Sequence, residues 1–190
     1  MRTCLLAVAL LFGGICSANA QAPQTPEEVS RASAEATNAR GMAAMADFIH
    51  PDELQRFKNT LAPLFIENPS ESTTWLLRKF FGKDATAETV RKMPPAVFMA
   101  NVVKLAESQM PDAEPRVDDL QILGSVREGE LIHLVTRSAV TLGSAQLTKM
   151  EVVSMKPYGD SWRMLLSGDV ESMSRAIRAG LENAAQESTQ

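Results

Sequence analysis

Two histidines limit the acid–base chemistry open to this chain. His50 stands in Asp47-Phe48-Ile49-His50-Pro51-Asp52, with a carboxylate on either side that could orient it as a general base. Spacing alone fixes no mutual geometry, so the preferred reading is a junction residue that closes one helix before Pro51. His133 could meet Ser154 across two strands as base and nucleophile. No acid is obvious beside them, so a surface or packed histidine is preferred there. Two histidines among scattered carboxylates match no metal-ligand spacing, and no HExxH pattern is present. Trp75, Phe80 and Phe81 could line an apolar ligand site, but core packing is the preferred reading. No cofactor motif is visible.

A different kind of candidate lies in the second half. Gln121, Thr136 and Glu151, followed by Asp119, Ser138 and Lys149, fall on strand positions of the same parity as Leu134, Val153 and Met164. Such rows either line a cavity or form a solvated cross-strand network, and the network is the more common case. If a ligand is bound, Gln121, Thr136, Glu151 and Lys149, with His50 and Trp75, are the residues expected to touch it.

Elements must position these groups. Thr25 reads as an N-cap, Pro26 as the first helical residue and Glu28 as the capping-box partner. The helix that follows carries small residues at Val29, Ala32, Ala36, Ala39 and Ala43, a face suited to close packing. Gly41 weakens it, and Pro51 ends it and starts the next helix. Leu54, Phe57, Leu61, Leu64 and Phe65 make an apolar stripe, with Pro63 kinking or stopping it. Asn68 to Glu71 starts another helix, which Gly82 stops. Thr86 to Met93 is a short helical turn. Pro95 opens a helix with Phe98, Val102, Leu105 and Gln109 on one face. Met99, Val103 and Ala106 widen that face, so the helix is expected to be largely buried.

After Pro115 the period changes to alternation. Residues 116–127, 131–142, 145–156 and 161–167 read as four strands, separated by Glu128-Gly129, Gly143-Ser144 and Pro157 to Asp160. This register sets Leu134 against Leu123 and Val153, Val153 against Met164, and Met155 against Ile132 and Trp162. Neither face is cleanly apolar, which a β-bulge or a curved sheet with one polar end would explain. Asp169 then caps a last helix carrying Val170, Met173, Ile177 and Leu181. The expected fold class is α+β: N-terminal helices packed on a curved four-stranded antiparallel meander, plus a C-terminal helix.

Composition sets the compartment and excludes several classes. Arg2, the apolar Leu5 to Phe12 and the small-x-small Ala18-Asn19-Ala20 read as a signal peptide over residues 1–20, cleaved after Ala20. Cys16 suggests a lipidated start, but Ile15 precedes it where lipoprotein signals carry a small residue, so cleavage after Ala20 is preferred. A leader over 21–25, one domain over 26–186 and a frayed tail over 187–190 follow. Cys4 and Cys16 both lie in the signal, so the mature chain offers no disulfide, thiolate ligand or cysteine nucleophile. Loss of Arg2 takes the net charge from −4 to about −5, which argues against nucleic acid and anionic membrane surfaces. No later apolar run is long enough to span a bilayer. A periplasmic or secreted protein is expected.

Ala43 to Leu54, joining two N-terminal helices, and the meander from Leu131 to Ser167 with Trp162 in its last strand carry a resemblance. Together they resemble small exported proteins of the nuclear transport factor 2-like superfamily. The resemblance implies a cone of helices against a curved antiparallel sheet, with residues 170–185 an addition. It implies either a non-enzymatic binding module or an enzyme such as a ketosteroid isomerase or polyketide cyclase. The isomerase type uses a carboxylate base with a tyrosine and a protonated acid as oxyanion donors. Here the single tyrosine, Tyr158, falls in an expected turn. The chosen reading is therefore a non-enzymatic module that binds a small apolar or mixed-polarity ligand, or an envelope protein. A lyase or isomerase using His50 or Glu151, and a lipid carrier, are the alternatives.

Overall fold

In the computed structural model, residues 24–67, 70–108 and 116–166, with Ser172, Arg175 and Ala179, are described. The signal segment, Gln109 and the apolar positions of the last helix lie outside them. Six α-helices precede four strands, the α+β order expected from the change of period. The helices are α1 (Pro26–Arg40), α2 (Pro51–Leu61), α3 (Pro63–Ile66), α4 (Glu71–Phe81), α5 (Ala87–Lys92) and α6 (Pro95–Ser108). A 3₁₀ stretch, Met42–Phe48, joins α1 to α2.

Caps decide where the helices begin. Thr25 and Glu28 form the expected capping box on α1, and Ser70 and Thr86 cap α4 and α5 through threonines three residues on. The end of α1 differs from expectation. Gly41, at φ 84°, stops the helix there, well before Pro51. A side chain at Gly41 would also meet the Glu107 carboxylate at 3.0 Å. That carboxylate accepts from the Met42 amide and so caps the 3₁₀ stretch. The buried side of α1 is Pro26, Val29, Ser30 and Ser33, while Ala39 is exposed. The helix turns small hydroxyls inward beside the expected face, of which Val29 and Ala43 are buried, Ala32 and Ala36 half-buried and Ala39 exposed.

The core sits among α2, α3, α4 and α6. Phe65 meets Phe80, Phe81 and Phe98 edge-on at ring separations of 5.0, 5.1 and 6.1 Å, and Phe57 meets Phe98 at 6.1 Å. Lys58 is buried beside them, its Nζ donating to the carbonyls of Arg91 and Met93 at 2.8 and 2.6 Å. A cation thus holds the carboxyl end of α5 against α2. Helix α6 is only half as buried as expected. Phe98, Met99 and Val102 are in the core, Leu105 is half-buried and Ala106 exposed. Its second half runs out beside Gly41, where Glu107 meets the start of the 3₁₀ stretch.

The strands β1 (Arg116–Glu128), β2 (Leu131–Leu142), β3 (Ala145–Tyr158) and β4 (Ser161–Met164) form one antiparallel sheet in the order β1-β2-β3-β4. All three hairpins close in two residues, Glu128 opposite Leu131, Leu142 opposite Ala145, and Tyr158 opposite Ser161. Gly129, Gly143 and Gly159 supply a φ of 58–59° at the first turn position, and among the described residues no non-glycine has positive φ. That is the φ pattern of a II′ turn. The third turn is two residues shorter than expected, so Met155 faces Met164, and Trp162 faces Pro157. The shift is even, so every side chain keeps its face.

Strand β1 departs further. Its register slips between Ile122 and Gly124 and again between Val117 and Asp119. On the hairpin side of the first slip, a turn that starts at Gly129 instead of Glu128 sets Leu134 against Ser125, not Leu123. Beyond the first bulge the parity reverses: Ile122 faces Thr136 and Leu120 faces Ser138. Of the two explanations for mixed faces, the bulge holds for β1. It puts Ile122 on the packed face in place of Gln121. Helix α1 then secures the free edge of this bulged strand. Asn38 exchanges two hydrogen bonds with the backbone of Val117, at 2.7 and 2.8 Å, and Arg31 donates to the Leu120 carbonyl at 3.1 Å.

Candidate functional site

The inner face of the sheet is dry near β4 and open at the other end. Leu134, Met155 and Met164 are buried under the helices. Moving away from β4, Thr136 and Ser138 are buried as well, and the Thr136 hydroxyl donates to the Glu151 carbonyl at 3.3 Å. Opposite them on β3 stand Glu151 and Lys149, side chains 38 % and 63 % exposed, joined in an ion pair. Leu147, the next inward residue, is 56 % exposed. Helix α1 reaches β1, β2 and β4, and the far half of β3 is exposed, with no described helix in substantial contact with it. The result is a shallow, mixed-polarity patch: an exposed leucine, one ion pair and two buried hydroxyls at its floor.

Gln121 does not join this patch. It pairs with Arg137 on the opposite face, is exposed, and donates to Asp119 at 2.7 Å, because the bulge at Leu123 has reversed the strand. An isolated glycine inside a strand pattern signals a bulge, and Gly124 was that signal.

His50 is elsewhere too. It is buried as the N-cap of α2, and its Nδ1 accepts from the Asp52 amide at 3.2 Å. Its own amide donates to the Met164 carbonyl at 2.8 Å, and its ring stands edge-on to Tyr158 at 5.7 Å. The Asp47 carboxylate pairs with Arg40 at 3.1 Å instead. Nδ1 is thus committed to opening α2, and the helix that His50 was expected to close has already ended at Gly41.

Trp75 is 56 % exposed, against the expectation of core packing for it. The buried side of α4 is Leu76 and Leu77, which leaves Trp75 one position off the inward face, with Lys79 over its ring at 4.6 Å. With Ser70, Glu71, Thr74 and Arg78 it lines an open hollow of about 530 Å³.

The outer face holds an arrangement that the residue pattern only half revealed. His133 Nδ1 lies 2.8 Å from Ser154 Oγ, and its Nε2 lies 2.9 Å from Glu128 Oε2. The expected turn began at Glu128. In the structure Glu128 is the last strand residue, which brings its carboxylate back over the sheet. A serine, an imidazole and a carboxylate are thereby in line, with the carboxylate side chain 77 % exposed. Among the described residues no group of three or more potential ligands could hold a metal ion, and no helix is long and apolar enough to cross a membrane.

No family model and no curated protein matches the chain. Among solved structures, a Campylobacter jejuni protein named as an NTF2-like transpeptidase is similar. It shares 14 % identity and covers 62 % of this chain and 99 % of its own, at a TM-score of 0.27. A TM-score of that size carries no argument for this chain.

Proposed function

We propose that the protein is an exported, non-enzymatic domain of the nuclear transport factor 2-like kind. Its patch around Lys149, Glu151 and Leu147 takes up a mixed-polarity small ligand or a segment of an envelope protein. The observation that carries this reading is the uncovered end of the inner sheet face. There an ion pair and an exposed leucine sit over the buried hydroxyls of Thr136 and Ser138. Such a surface offers apolar contact and charge together without a convergent base. The test is native mass spectrometry of the protein purified gently from its own compartment. A bound adduct or partner is expected, diminished at least several-fold in Glu151→Gln at unchanged melting temperature. Capture that Glu151→Gln leaves untouched, or none from the wild type, sinks the reading. The same spectra give the mature start. Gln21 is expected, and an acylated Cys16 would replace the periplasmic reading with a lipoprotein.

A second reading rests on Ser154, His133 and Glu128. In an acyl transfer, Ser154 Oγ would attack an ester carbonyl while His133 takes its proton and Glu128 steadies the imidazolium. His133 would then return the proton to the departing alkoxide, and water would release the acyl group from Ser154. A fluorophosphonate probe should label the wild type and not Ser154→Ala. An unlabelled wild type removes this reading.

A further inference from the structure

We propose that the free edge of β3 pairs with the same edge of a second copy, antiparallel, with Met150 on the two-fold axis. This goes beyond the ligand reading and does not depend on it.

The edge is bare for most of its length. Strand β4 pairs only with Met155–Tyr158 of β3, and one further bond runs from the Leu165 amide to the Ser154 carbonyl. No described strand pairs with residues 145–153 on that side. Met150 and Val152 are each 61 % exposed and Leu147 56 %. A long exposed edge with apolar side chains is a template for another strand unless something blunts it.

The register follows from the backbone. The Ser154 carbonyl faces the β4 side. Main-chain groups alternate along a strand, and the β2–β3 ladder runs without a slip. The N–H and C=O groups of Gln146, Thr148, Met150 and Val152 therefore point out from the free edge. A two-fold pairing of identical strands is then centred either on one of these residues as a hydrogen-bonded pair or on an odd-numbered residue between them as a non-hydrogen-bonded pair, and centring on Lys149 or Glu151 sets that charge against its own copy. Centring on Val152 drives the partner into the place held by β4. Centring on Thr148 sets Lys149 against Leu147 and Glu151 against Ala145. Centring on Met150 joins Thr148 to Val152 through main-chain bonds on both sides of the axis. It also places Lys149 of each copy directly opposite Glu151 of the other, and Leu147 opposite Val153.

Charge decides among the registers. A lysine on an edge ordinarily repels a second copy. With Glu151 two residues along, the two-fold converts that repulsion into two reciprocal ion pairs at non-hydrogen-bonded positions, where side chains approach most closely. The interface is isologous and closed, so it makes dimers and not fibres. Its area is small, which suits a dissociation constant of about micromolar. The two inner-face patches would lie side by side across the join.

Sedimentation of the chain from Gln21, over micromolar to high-micromolar concentration, should show a monomer–dimer equilibrium. Met150→Pro should abolish the dimer. The N–H it removes faces outward, so no bond within the chain is lost and the melting curve should stay within a few degrees. Lys149→Glu should weaken the dimer by about tenfold, and Lys149→Glu with Glu151→Lys should restore it. That exchange keeps the test decisive should Met150→Pro fail to fold. Met150→Cys should oxidise to a covalent dimer, since hydrogen-bonded partners stand about 5.5 Å apart at Cα and the chain from Gln21 has no other cysteine. A monomer at every concentration overturns the proposal, as does a dimer indifferent to Met150→Pro or to the charge exchange. So does a monomer whose Thr148, Met150 and Val152 amides resist hydrogen exchange, which would mean that residues 167–190 cover the edge.

Discussion

The aromatic centre of the helical layer and the far end of the sheet are built on opposite terms. Three phenylalanine rings meet Phe65 edge to face, two of them stacked on each other, and Phe57, Phe65 and Phe98 are all but sealed from solvent. At the far end of β3 an extended backbone carries Leu147, Met150 and Val152 into water. The first region holds the fold by burial. The second is held by its ladder to β2 and adds little packing of its own. Surface that contributes little to stability is surface left open to recognition.

This contrast can be broken by substitution. Phe98→Ala should have the largest effect, about 3–5 kcal/mol in urea unfolding, because it empties a space bounded by rings that cannot collapse into it. A loss under about 1 kcal/mol would mean the aromatic cluster does not hold the fold. Lys58→Met should come next, at about 1–3 kcal/mol. The methionine fills the same channel but leaves the carbonyls of Arg91 and Met93 without their charged donor. Recovery of full stability in Lys58→Met would show that water replaces the ammonium and that α5 is held by Val90 alone. Leu147→Ser should do least, within about 0.5 kcal/mol of the wild type. A larger loss, read from the same unfolding curves, would show that Leu147 is packed in solution and would close the open end of the sheet.

Local rules made much of the fold legible. Thr25, Pro26 and Glu28, then Pro51, Ser70, Thr86 and Pro95, announce helix starts through their own backbone chemistry, and five of the six helices begin there; α3 begins at Pro63, which was expected to kink or stop a helix. The hairpin glycines announce the turns. What the pattern could not carry was non-local. A bulge of one residue at Leu123 exchanges the two faces of β1, and alternation alone looks the same on either side of it. A turn starting at Gly129 instead of Glu128 moves one carboxylate onto His133. Lys58 reads as a solvent-facing residue of an amphipathic helix until the carbonyls of α5 are known to lie above it. Of the residues named for a site, Thr136, Glu151 and Lys149 were placed together by a β2–β3 register that the two-residue turn at Gly143-Ser144 makes unambiguous. Gln121, His50 and Trp75 depended on a bulge, a helix cap and a helix rotation.

The Ile49–His50 segment touches the end of β4 through a parallel bridge to Met164 and the bond from the His50 amide to its carbonyl. Those partners are more than a hundred residues apart, whereas every other strand in the sheet pairs with its neighbour in sequence. Helices and hairpins can thus form early from nearby contacts, but the clasp between the two halves cannot shut until Met164 is available. The bonds from α1 to Val117 and Leu120 can join the two halves sooner, so the contact at Met164 is the last of these ties to become possible. Four residues of β4 thus decide which long-range contact completes the fold.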